Sequence, residues 1–283
     1  MMQKDQHNTN DAVMKTVSQK LLYSGTESEI TEHAAALIIF EAYRAIQDHG
    51  RFSLVLSGGK SPKLLYRQLA QGVAMETLER YAFQIPRNDN AENKDTRAFM
   101  PWNKTWLFWG DERSVPVGHP DCNYRLVREE LLSQVTISEK HIFRMPAELN
   151  DGEVAAKVYE ETIRTFFSED GSLPPKHYPV FDLIILGLGE DGHTASLFAD
   201  NAFALQKTEK WVIAVNEPLA NPPGKRLTLT MPVINHARNV LFFTRDKAKA
   251  TLAKKIFFEE EQKVPASLVK PVNGKTFWFT VQL

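Results

Sequence analysis

Hydrophobic positions along the chain fall into two alternating patterns. Ile30, Ala34, Leu37, Ile38, Ala42 and Ala45 recur at helical spacing behind Thr26-Glu27-Ser28-Glu29, and Gly50 follows them. The spacing predicts an amphipathic helix. Thr26 and Glu29 would open it as a capping box, and the glycine would end it. Phe52–Leu56 is then a short apolar run, broken by Ser57-Gly58-Gly59, with Pro62 where a first helical turn would begin. This strand, glycine turn and helix form a unit that repeats. Thr105–Trp109 runs into Gly110-Asp111-Glu112-Arg113, and Phe181–Leu186 runs into Gly187-Leu188-Gly189. Asn123–Val135, Asp151–Phe167 and Asp246–Phe258 read as helices. Trp211–Val215, Leu227–Thr230, Asn239–Phe243 and Thr276–Val281 read as further strands.

Apolar strands alternating with amphipathic helices predict an α/β fold, a mostly parallel sheet covered on both faces. Residues 1–18 are polar, lack a period and read as a tail, leaving 19–283 as a single α/β domain. The polar stretch Ile85–Asn103 and the proline-bearing Ser168–Pro179 read as long surface loops, because the alternation resumes after each. A hydrophobic share of 43% over 283 residues is ample for a core. Lys and Arg number 34 against 35 Asp and Glu, so no broad field attracts nucleic acid or an anionic membrane surface. Any anion must be held by a local site. Cys122, the single cysteine, can form neither an internal disulfide nor a thiolate metal cage. The longest apolar run, Ala34–Phe40, is far short of a bilayer span, and the polar N-terminus lacks a signal-peptide core. A soluble, cytoplasmic protein is expected.

In open parallel sheets, ligands sit beyond the C-terminal strand ends, and three such turns carry candidate chemistry. Ser57-Gly58-Gly59-Lys60-Ser61-Pro62 offers backbone N–H groups at a helix start, two hydroxyls and a lysine. It is a small phosphate cradle or simply a tight turn. Gly110-Asp111-Glu112-Arg113 is either a charged surface turn or a carboxylate and a guanidinium facing the same crevice. Gly187-Leu188-Gly189-Glu190-Asp191-Gly192-His193 matches the dinucleotide fingerprint in its glycines. Glu190 and Asp191 would, however, put two carboxylates where a pyrophosphate must bind, so a dinucleotide is rejected. Asp191 and His193 remain, either as a capping carboxylate with a satisfied imidazole or as a proton-transfer pair. Arg226 and Lys247 are two further cations beside strand ends. No spacing supports a metal site or a serine nucleophile.

The blocks Leu56-Ser57-Gly58-Gly59-Lys60-Ser61-Pro62, Trp109-Gly110-Asp111-Glu112-Arg113 and Asn123-Tyr124-Arg125 resemble those of the 6-phosphogluconolactonase family. So do the run Phe181 to Phe198, with Asp191-Gly192-His193-Thr194-Ala195-Ser196-Leu197-Phe198 as its most specific part, and Arg226-Leu227-Thr228-Leu229-Thr230. The resemblance runs in order from before Thr26 to Pro265-Ala266-Ser267. It implies a three-layer α/β/α Rossmann-like fold shared with glucosamine-6-phosphate deaminases. The implied reaction is hydrolysis of 6-phospho-D-glucono-1,5-lactone, without a cofactor. The expected partner is therefore a small sugar-phosphate lactone, with no nucleic acid and no membrane, and the chain would be a monomer or weak homodimer. Members commonly carry a glycine before the lysine that Lys247 resembles, where this chain reads Thr244-Arg245-Asp246.

On this reading His193 is the general base, supported by Asp191, with Asp111 and Arg113 lining the same pocket. Ser57, Gly58, Gly59, Lys60, Ser61, Arg226 and Lys247 would hold the 6-phosphate. Related deaminases follow their Asp-Glu with Tyr and their Gly-His with Ile-Ala-Phe-Asn-Glu. Arg113 and Thr194-Ala195-Ser196-Leu197-Phe198 stand here instead, which favours the lactonase. The Asp191–His193 pair argues against a non-catalytic sugar-phosphate sensor.

Overall fold

A computed structural model describes residues 13–17, 19–86, 96–168, 177–201 and 208–283. Its strands are β1 (Val13–Val17), β2 (Lys20–Gly25), β3 (Phe52–Leu56), β4 (Val73–Ala74), β5 (Arg97–Ala98), β6 (Thr105–Trp109), β7 (Asp111–Arg113), β8 (Ile142–Phe143), β9 (Leu183–Leu186), β10 (Val212–Glu217), β11 (Gly224–Leu229), β12 (Asn239–Thr244) and β13 (Lys275–Val281). The described helices are α1 (Glu27–His49), α2 (Lys63–Gln71), α3 (Met75–Arg80), α4 (Asn123–Glu130), α5 (Gly152–Phe167), α6 (Met231–Asn235) and α7 (Lys247–Phe257).

The central sheet runs β1-β2-β13-β12-β9-β3-β6-β8, parallel throughout except for the antiparallel β1–β2 edge pair. Every residue of β3, β9 and β12 is buried. Since alternate strand residues point to opposite faces, both faces of the sheet are covered. Helix α1 packs on β2, β3 and β13, and α7 on β2 and β13. One buried apolar cluster extends from Leu22 to Phe279. Among the described residues no helix is long and apolar enough to cross a membrane.

The local signals hold where side chains satisfy helix ends. The Thr26 N–H donates to Glu29 Oε2 at 2.7 Å, the Glu29 N–H donates to Thr26 Oγ1 at 3.3 Å, and Gly50 ends α1 in the left-handed region. Asp151 and Asp246 cap α5 and α7. Four expectations need correction. Val13–Val17, assigned to the tail, pairs antiparallel with β2, whereas residues 1–12 and 18 lie outside the described residues. The residues of β1 whose burial is described are exposed, so its pairing rests on backbone hydrogen bonds and leaves no apolar period to read. Helix α4 stops at Glu130 and a 3-10 turn, Leu132–Gln134, follows. Within the expected loop Ile85–Asn103, Arg97–Ala98 pairs with β4, and residues 87–95 lie outside the described residues, as do 169–176 of the second loop.

The fourth difference bears on the site. Strands β10 and β11 do not join the central sheet but pair antiparallel with each other and with β7, forming a second, three-stranded sheet. The charged triplet Asp111-Glu112-Arg113 is therefore a strand and not a turn. Gly110 joins the two sheets: its N–H donates to Leu56 O in β3, and its carbonyl accepts from Leu229 N in β11, both at 2.9 Å. Helix α5 packs on β10 and β11.

Candidate active site

The parallel registers place the C-terminal ends of β3, β6, β9 and β12 along one edge of the sheet. A cavity of about 200 Å³ opens there, lined by residues 57–62, Asp111, Arg113, Gly187–Gly189, His193, Ala195, Asn221 and Lys249. The three turns singled out from sequence thus converge on one crevice.

The Ser57–Ser61 turn is braced from beneath. The hydroxyl of Tyr66 in α2, itself fully buried, accepts from Ser57 N at 2.9 Å and donates to Ser57 O at 2.6 Å. Gly59 sits at φ +88°, a conformation glycine adopts at little cost. Gly58 is glycine for want of space, since a Cβ there would lie 1.7 Å from Asn123 Oδ1.

Asp191 Oδ1 lies 2.5 Å from His193 Nδ1 and also accepts the His193 backbone N–H at 3.1 Å. A carboxylate at Nδ1 fixes the tautomer that leaves a lone pair on Nε2. The imidazole stacks on Phe198 with centroids 4.3 Å apart. The glycines that imitate a dinucleotide fingerprint have local reasons. A Cβ at Gly189 would lie 2.2 Å from His193 Nδ1, and one at Gly192 would lie 2.4 Å from Val264 Cβ.

Across the cavity Asp111 is 5% exposed. Asn123 Nδ2 donates to its Oδ1 at 3.1 Å and Ser196 Oγ to its Oδ2 at 2.7 Å. The neighbouring Glu112 is 3% exposed and accepts from the backbone N–H groups of Arg113, Asn123 and Tyr124. Burial raises its carboxyl above the ordinary range, and those three donors oppose the rise.

Arg113 and Arg226 are direct cross-strand partners in β7 and β11. Like charges opposite each other on a ladder repel. Burial, and then the charge of Arg113, depress the Arg226 guanidinium below its usual range. Each of the two arginines keeps a buried Nε–H without an acceptor among the described residues. Paired cations with unused donors beside an open cavity form a site suited to an anion.

A family model described as glucosamine-6-phosphate isomerases/6-phosphogluconolactonase matches residues 25–278. The chain belongs to this family. It is 37% identical over 255 residues to the 6-phosphogluconolactonase of Synechocystis sp., covering 89% of this chain and 91% of the relative. It is also 37% identical over 257 residues to 6-phosphogluconolactonase of Homo sapiens, with 89% and 88% covered. The crystal structure of 6-phosphogluconolactonase from Thermotoga maritima superposes with a TM-score of 0.72 at 26% identity, covering 93% of this chain and all of that one. The corresponding structure from Trypanosoma cruzi gives 0.71 at 25% identity, with 95% and 96% covered. The fold is the one shared by these 6-phosphogluconolactonases.

Among the residues nominated from sequence in this lactonase-family chain, Ser57–Ser61, Asp111, Arg113 and His193 line the cavity, and Asp191 touches it through His193. Arg226 stands behind the wall, 4% exposed, beside Arg113 and with its guanidinium 5.8 Å from the Phe198 ring centroid. Lys249 lines the cavity, whereas Lys247 is not among its lining residues. Asp246 Oδ1 caps α7 by accepting from Ala248 N and Lys249 N, so the helix begins at Lys247 and presents its third residue to the crevice. Sequence reasoning also missed Tyr66 and Asn123, whose partners lie 9 and 12 residues away, and Ser196, whose partner lies 85 residues away. The signal for Asn123 was its place in the Asn123-Tyr124-Arg125 block.

Proposed function

We propose that this chain is a 6-phosphogluconolactonase, hydrolysing 6-phospho-D-glucono-1,5-lactone to 6-phospho-D-gluconate in the oxidative branch of the pentose phosphate pathway. The observation that carries the reading is one small cavity lined both by the Ser57–Ser61 turn and by His193, itself paired with Asp191. The turn, with Lys249 and the Arg113–Arg226 pair, takes the phosphate dianion by charge and by backbone N–H groups. Anchoring that remote group orients the lactone carbonyl without touching it. His193 Nε2 accepts a proton from water as the water oxygen bonds to the carbonyl carbon. Backbone N–H groups of the glycine turns steady the oxyanion. Collapse of the tetrahedral intermediate breaks the bond to the ring oxygen, and the imidazolium returns its proton there, leaving a hydroxyl and a carboxylic acid that ionises to 6-phosphogluconate. Asp191 keeps the imidazole in its working tautomer and stabilises the imidazolium. Asp111 orients the sugar. The same reading makes the chain a cytoplasmic enzyme built as one α/β domain.

The test is His193→Ala, with hydrolysis followed above the spontaneous background. Loss of general-base catalysis lowers kcat by about 10²- to 10⁴-fold, while binding of the phosphorylated product stays close to that of the parent. Near-full activity in that variant would remove His193 from the role of base.

A further inference from the structure

A buried carboxylate at a cavity wall keeps one orientation only if its oxygens are held. Asp111 has both held, from two sides. Asn123 donates to Oδ1 and, at 2.9 Å, to the Asp111 backbone carbonyl, so it fixes the carboxylate relative to its own strand. Ser196, three residues beyond His193, donates its hydroxyl to Oδ2 at 2.7 Å. The Ser196 backbone N–H donates to Thr228 Oγ1 at 3.2 Å, and Thr228 is the cross-strand partner of Asp111. Both ends of Ser196 therefore grip the same rung of the β7–β11 pair. Ser196 is fully buried and absent from the cavity wall.

The chain between His193 and Ser196 has little slack. Thr194 Oγ1 donates to Gly187 O at 2.8 Å, Leu197 N closes a turn onto Thr194 O at 2.9 Å, and Ala195 is held at φ +49°. A non-glycine residue keeps that left-handed conformation only where its surroundings over-determine it. A tether of three residues that is stiff in its middle and bolted at its end transmits position.

We propose that Ser196 is a positioning residue that sets Asp111 relative to His193, joining the β9 turn of the central sheet to the second sheet across the active site. The role rests on the lactonase reading above. Ser196 acts through Asp111 and meets no substrate.

The experiment is a double-mutant cycle in the full chain with Ser196→Ala, Asp111→Asn and the pair. It measures background-corrected kcat and KM for the lactone together with the thermal midpoint. Ser196→Ala is expected to lower kcat by about 10- to 100-fold and to change KM by less than about twofold, because the phosphate turn is untouched. In the Asp111→Asn background the same change is expected to cost less than about twofold. Thr228→Val, which removes the acceptor for the Ser196 N–H together with the Thr228 hydroxyl's own bond to Leu229 O and leaves the Ser196–Asp111 bond in place, should give a smaller kcat loss that is also non-additive with Ser196→Ala. It stands in if Ser196→Ala does not fold. A kcat within about threefold of the parent for Ser196→Ala, or losses that multiply in full with Asp111→Asn, overturns the role as merely structural packing. A parent chain that does not hydrolyse the lactone above background overturns the functional reading, and this role with it.

Discussion

Gly58→Ala tests how the cradle and Asp111 depend on one another. The added Cβ would stand 1.7 Å from Asn123 Oδ1, 2.2 Å from Cγ and 2.7 Å from Nδ2. Ordinary contact needs about 3.5 Å or more, so the amide must retreat by roughly 1.5–2 Å. Asn123 is 1% exposed and so packed on nearly all sides. Its retreat breaks the two hydrogen bonds, 2.9 and 3.1 Å, that hold Asp111. Overpacking costs about 1–3 kcal/mol, and loss of a hydrogen bond to a carboxylate adds about 1.5–3 kcal/mol. In a chain of this size that lowers the thermal midpoint by roughly 5–15 °C. A shift of about 1 Å in a positioned group costs on the order of 10²-fold in rate. The assay is acid release at constant pH, corrected for spontaneous hydrolysis, alongside a thermal scan. Asn123→Ala makes room, so Gly58→Ala added to Asn123→Ala should cost little more than Asn123→Ala alone. Gly58→Ala with activity within about threefold of the parent and an unmoved midpoint would refute the packing argument.

Lys249→Ala should raise KM for the lactone by about tenfold or more with kcat little changed, whereas Lys247→Ala should leave both within about twofold; steady-state kinetics decide, and the opposite pattern would restore Lys247. His33 is 4% exposed and stacked on Tyr81 at 3.5 Å, and burial pushes its imidazole down to about 3 from 6.5. The unfolded chain therefore binds a proton that the folded chain refuses between those values, so stability is complete above about pH 6.5 and falls as pH drops towards 3. The slope approaches about 1.4 kcal/mol per pH unit, or about 5 kcal/mol over the window. Urea midpoints across that range should show the slope, and His33→Phe should lose that component; an unchanged pH dependence would place the imidazole in water.

Much of the fold was legible because its signals are local. Thr26 and Glu29, Asp151, Asp246 and Gly50 each satisfy a helix end within a few residues, and fully buried strands such as Asn239–Thr244 announce themselves as apolar runs. The turns of the site were legible because glycines, hydroxyls and charges cluster at strand ends. Pairing partners were not. Nothing in Asp111-Glu112-Arg113 says that it is a strand, because its ladder partners are Arg226, Leu227 and Thr228 of β11. Strand β1 hid for the opposite reason, being an exposed edge without an apolar face. Lys247 and Lys249 stand two residues apart in α7, and only the packed helix shows which of them lines the cavity. Ser196 and Asn123 look like ordinary polar residues until the chain brings Asp111 between them.

The strand order has a consequence for biogenesis. Strand β2 is made early, yet its partner in the sheet is β13, and Ser24 meets Thr280 across 256 positions of chain. Until β13 inserts between β2 and β12, each of these two strands presents an open edge of unpaired N–H and C=O groups. A growing chain thus carries the open β2 edge through most of its synthesis, and the β12 edge joins it once Asn239–Thr244 has been made. The antiparallel β1–β2 pair, closed by a connection of two residues, shields the other side of β2 meanwhile. Chaperone demand for this protein should fall at the moment β13 docks, and lesions in Thr276–Val281 should act on yield of folded protein before they act on catalysis.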